Sequence, residues 1–108
     1  MNDLKLNLQK ELIECLWNKT NEMASEVADS NARGRYLAWL IDPSTPAPAK
    51  VLILKVQTAM DNMWKQYSIA RTAIVAGKEP SPLTAPGDVP TFWDIAAAAD
   101  TPQGAEHG

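Results

Sequence analysis

The sequence has one cysteine, one histidine and one phenylalanine among its 108 residues, and neither lysine nor arginine after Lys78. Each shortage removes a class of protein. A single Cys15 admits no intramolecular disulfide, which fits a reducing compartment. Its place beside Leu12 and Leu16 predicts a buried, inert thiol, because reactive cysteines need a partly exposed, electropositive setting. The lone His107 is the penultimate residue, where chains are usually mobile, and this argues against histidine-based acid–base chemistry or a metal site. Glu11, Glu14, Glu22 and Glu26 could pair their carboxylates on one helix. A di-metal helical site, however, uses a Glu-x-x-His pattern, and this stretch has no histidine. The glutamates are expected to form a solvated acidic face. There is no glycine-rich phosphate loop. The expectation is a non-enzymatic protein with no catalytic residue, no cofactor and no metal.

Long apolar runs are missing too. Nothing approaches the ~20 residues of a membrane-spanning helix. Met1–Lys10 lacks the continuous apolar stretch of a signal peptide. The protein is therefore expected to be cytoplasmic or virion-associated, with no membrane partner. Asn18-Lys19-Thr20 matches a glycosylation sequon, which without a secretory signal is read as chance.

Charge is unevenly spread. Residues 1–78 carry 10 basic and 8 acidic side chains, a net +2, whereas residues 79–108 carry 5 acidic side chains and no basic one, a net −5. A basic excess of two is too small for the strong cationic face of a nucleic-acid binder. Arg33, Arg35 and Lys50 are the exception considered: near a helix–helix connection they form a possible contact for an anion or an acidic partner.

What is present is helical rhythm. Leu4, Leu8, Leu12, Leu16, Met23 and Val27 form a broad apolar stripe, widened by Leu6, Ile13, Trp17, Ala24 and Ala28, and Asn2 or Asp3 is a candidate cap. A seven-residue repeat continues through Ile13, Leu16, Thr20, Met23, Val27, Ser30, Gly34, Leu37 and Ile41. On that reading Ser30 and Gly34 are small residues where another backbone comes close. Asp29-Ser30-Asn31 can equally end one helix and cap the next, so a continuous helix and a break near Ser30 both stand. The pattern stops at Asp42-Pro43, because a residue before proline is pushed out of helical geometry. Pro43, Pro46 and Pro48 make a stiff connector, with Thr45 as a candidate helix start. Leu52, Val56, Ala59, Met60, Met63, Tyr67, Ala70 and Ile74, flanked by Ile53 and Trp64, predict a second long helix from about Ala47 to Ala76, stopped by Gly77. Met60 and Met63 are expected to pack on the first helix, and Trp17 and Trp64 to sit in the core. Trp39, beside Tyr36 and Leu40, is expected near the base of the pair.

From Gly77 onward the composition changes: five of the eight prolines and four of the five glycines lie there. The expected fold is all-α. Residues 1–77 form an antiparallel hairpin of two long amphipathic helices, and residues 78–108 an extended, acidic, proline-rich arm with one short helix near 91–99, capped by Thr91. Phe92, Trp93 and Ile95 then make a compact apolar anchor on a tether. Its two destinations are the chain's own helices or a neighbouring molecule. Broad stripes and an anchored arm together point to a structural or assembly protein that forms homo-oligomers and contacts another protein, with a small phage virion or assembly component as the context considered. The alternative is a small regulatory binder or inhibitor of a larger host protein, and a small DNA-packaging subunit ranks behind both.

Overall fold

The structure, a computed structural model, describes residues 2–100. It contains α1 (Asn2–Val27), α2 (Ser30–Ile41), α3 (Ala47–Val75) and α4 (Phe92–Asp100). Helix accounts for 77% of the described residues, with no strand among them. The all-helical class therefore follows the 3-and-4 spacing of the apolar residues.

Near Ser30 the helix is broken. Asp29 adopts extended backbone (φ −71°, ψ 177°), and its carboxylate accepts a 2.8 Å hydrogen bond from the amide of Ala32. That bond satisfies one of the first-turn donors a new helix leaves unpaired. The break resets the helical phase. In α1 the inward positions are Ile13, Leu16, Thr20, Met23, Ala24 and Val27. After the break they are Ala32, Tyr36, Trp39 and Leu40, while Ser30, Gly34, Leu37 and Ile41 are exposed. The seven-residue repeat thus holds only as far as Val27. Gly34 has nothing within 4 Å of where a Cβ would stand, so no backbone approaches it.

The connector and α3 obey local chemistry. Asp42 accepts hydrogen bonds from the amide (2.9 Å) and the hydroxyl (2.7 Å) of Ser44, which closes the turn after α2. These bonds hold its carboxyl below the ordinary value. Pro46, not Thr45, is the N-cap residue of α3, and no side chain caps this helix. Proline fits this end because the amide it lacks would go unpaired there anyway. At the other end Gly77 takes φ 75°, Lys78 N–H bonds to Ala73 O at 2.8 Å and Gly77 N–H to Ile74 O at 3.0 Å. This is a Schellman cap, and it ends the helix one residue before the expected Ala76.

α3 is the element that α1, α2 and α4 all pack against. Gln9 donates to the carbonyl of Ile74 at 3.0 Å, and Trp17 meets Trp64 at a centroid distance of 5.0 Å. Early residues of α1 thus lie beside late residues of α3, so the two run in opposite directions. Met63 is fully buried in this seam and Met60 is half-buried. Thr20 is also fully buried, and its hydroxyl is satisfied by the carbonyl of Leu16 at 2.7 Å. The seam ends in a core of Ala28, Tyr36, Ile53, Val56 and Ile95.

The molecule is a rod of 72 × 21 × 18 Å with a radius of gyration of 18.7 Å. A compact chain of this length would have about 13 Å. A rod two helices wide encloses only a narrow strip of each helix, and several stripe residues fall outside it. Leu4, Leu8 and Leu12 are exposed, and Trp17 is 46% exposed despite its ring contacts. Cys15 is exposed as well, contrary to the buried thiol expected, because it lies on the flank with the leucines rather than on the seam.

Candidate functional site

The described residues hold no group of three or more histidine, cysteine, aspartate or glutamate side chains placed to share a metal ion. None of their helices is long and apolar enough to cross a membrane. The feature with the most concentrated chemistry is an aromatic junction where α2 meets the chain returning from α3.

The return path is set by two devices. Gln66 on α3 receives the backbone of Thr84: Thr84 N–H donates to Gln66 Oε1 at 2.8 Å, and Gln66 Nε2 donates to Thr84 O at 3.0 Å. Gln66 Nε2 also donates to Asn62 Oδ1 at 2.8 Å, which holds the amide in place. A residue with no helical or sheet partner thus finds both backbone hydrogen bonds in one side chain. Further on, Thr91 and Asp94 form a reciprocal cap on α4. Asp94 N–H donates to the Thr91 hydroxyl and Thr91 N–H to the Asp94 carboxylate, both at 3.1 Å.

This path divides the expected anchor. Ile95 is fully buried among Tyr36, Ile53 and Val56. Phe92 is half-buried and stacked on Tyr36 at 6.0 Å, with Trp39 at 5.8 Å. Both are therefore occupied by the chain's own helices. Trp93 meets Phe92 edge-on at 5.3 Å and is otherwise 77% exposed, the most exposed large apolar side chain described.

The three basic residues face different groups and do not share one. Arg33 reaches back to the carbonyl of Asp29 at 3.5 Å, the Arg35 guanidinium lies 5.2 Å from the Trp39 ring centre, and Lys50 stands near the Asp42 carboxylate. His107 lies outside the described residues.

Two grooves border residues 84–89 as they cross the rod. One, of about 710 Å³, lies against the outer face of α3 and is lined by Val51, Leu54, Thr58 and Gln66 together with Pro86 and Val89. The other, of about 470 Å³, lies against the α1–α2 break and is lined by Glu26, Asp29, Tyr36, Phe92 and Trp93 among others. Tyr36 is 4% exposed and its hydroxyl is buried with no hydrogen-bond partner. Burial and the nearby Asp29 carboxylate push its pKa above the ordinary tyrosine value.

Sequence reasoning missed Gln66 and Tyr36. No local pattern marks a glutamine that binds backbone 18 residues away, and the weight of Tyr36 depends on where α4 lands. Compared with family models, curated proteins and solved structures, the chain matches none of them.

Proposed function

We propose that this chain is a non-enzymatic structural or assembly protein that associates with copies of itself through the apolar flanks of its long helices. The working unit is an antiparallel hairpin, α1–α2 against α3, strapped by the proline-rich segment that leads to α4. The observation that carries this reading is the row Leu4, Leu8 and Leu12, exposed by 64%, 53% and 54% at a spacing of four on one flank of α1. Burying one leucine is worth about 1.5–3 kcal/mol, so three in a row on a rigid helix favour association strongly. The surface area supports it. The chain exposes 7589 Å², against roughly 5,900 Å² for a compact monomer of 11.8 kDa. The excess, about 1,700 Å² on one chain, is roughly twice the ~800 Å² that each partner contributes to a standard protein interface.

Of the expected docking residues, Trp93 is the one left for an outside partner. It favours the second reading, a small binder acting on a larger protein. Sedimentation velocity at micromolar concentration separates the two. Self-association should give a discrete oligomer, and the triple variant Leu4→Gln, Leu8→Gln, Leu12→Gln should shift it to monomer with the helical circular dichroism signal retained. A wild-type chain that stays monomeric removes the assembly reading and leaves the binder.

A further inference from the structure

We propose that the groove beside the α1–α2 break is a recognition site for a cationic side chain, arginine or lysine, presented by an extended segment of a partner protein. The proposal goes beyond self-association and uses a different surface from the leucine row of α1.

Three separate observations converge on that chemistry. First, the charges lining the groove are both negative, Glu26 and Asp29, and no lysine or arginine lines it. Second, its rim carries Trp93, whose ring touches Phe92 edge-on and is otherwise open to solvent. An indole face is the best aromatic platform for a cation, and one beside carboxylates combines ring and charge attraction. Third, Tyr36 contributes to the same wall a buried hydroxyl without a hydrogen-bond partner. A guanidinium or ammonium group supplies donors only, which is what a hydroxyl oxygen and two carboxylates can accept. Residues 79–108 do not supply the cation, since they hold no lysine or arginine. The groove is also bordered by Pro86, Gly87 and Pro90 of the returning segment.

The test uses the full-length chain and two capped tripeptides, Gly-Arg-Gly and its neutral counterpart Gly-citrulline-Gly, followed by the Trp93 indole N–H resonance in a titration. Citrulline keeps the shape of arginine and removes the charge. The arginine peptide should give a saturable shift and the citrulline peptide none. Trp93→Ala, followed through the Ala32 amide resonance next to the groove, should weaken binding about 2- to 5-fold, the range for a cation–ring contact at an exposed site. The double variant Glu26→Gln, Asp29→Asn should weaken it further, and Asn at position 29 preserves the helix cap, so loss of fold does not confuse the result. A non-saturable shift, equal binding of the citrulline peptide, or unchanged affinity in the double variant would each overturn the proposal. A chain that remains monomeric while binding the arginine peptide would remove the self-association reading and leave this one standing.

Discussion

Tyr36 shows how one atom can work against its own side chain. Its ring lies in the middle of the core, stacked with Trp39 at 6.2 Å and Phe92 at 6.0 Å. Its hydroxyl is buried there without a partner. A buried unpaired hydroxyl costs about 1–3 kcal/mol, so Tyr36→Phe should raise stability by roughly 1 kcal/mol in urea unfolding. The same hydroxyl gives an alkaline signature. The folded state holds its proton more tightly than the unfolded state does. Its contribution is therefore complete below about pH 10, where a free tyrosine starts to ionise, and is lost as the pH rises through the folded value. Tyr36→Phe should lack that alkaline loss, and urea midpoints measured from pH 8 upward would reveal it. Ile95 and Trp93 make a second contrast. Ile95→Ala empties a fully enclosed site and should cost about 2–5 kcal/mol. Trp93→Ala removes a ring that is 77% exposed and should stay within about 0.5 kcal/mol. A large loss at Trp93 would mean that its ring is enclosed in solution.

At the scale of elements, helix ends decide the architecture more than helix interiors do. The cap at Asp29 turns one long apolar pattern into two helices of different phase, and the Schellman cap at Gly77 releases the chain toward Gln66. Two glycines test this account because they sit in opposite settings. Gly34 lies inside α2, exposed, with free space around it, so Gly34→Ala should raise stability by about 0.5–1 kcal/mol through helix propensity. Gly77 also has free space, but its φ of 75° is strained for any residue with a Cβ. Gly77→Ala should therefore lower stability by about 1 kcal/mol. Thermal melts of the two variants should move in opposite directions from the parent. The same direction in both would show that end geometry does not govern α3.

At the scale of the molecule, the returning segment belongs to the core. α4 covers the end of the seam where Tyr36, Ile53 and Val56 meet, and Ile95 fills it. Removing residues 79–108 would uncover that whole cluster in a rod only 18–21 Å thick. The truncated chain should therefore unfold at markedly lower urea and show a weaker helical circular dichroism signal. If it instead keeps the parent stability, α4 is a dispensable arm rather than part of the core.

The sequence by itself determined the helices. Spacing marked α3 from Ala47, Gly77 marked its stop, and Thr91 with Asp94 marked the start of α4, because capping and periodicity are local and act within a few residues. It also identified Ile13, Leu16, Thr20, Met23 and Val27 as one line, and that line is the seam. The sequence left two readings near Ser30, since an aspartate that caps and a repeat that continues predict different phases and neither dominates locally. Only the tertiary structure decided that Leu4, Leu8, Leu12 and Cys15 lie outside the seam, because a stripe's width shows what a helix can bury and not how many neighbours it has. It also decided that Phe92 and Ile95 close the core while Trp93 faces out. That division follows from where α4 lands on α2 and α3, and the Gln66–Thr84 contact across 18 residues of sequence is likewise set by the packing of whole elements and legible in none of them alone.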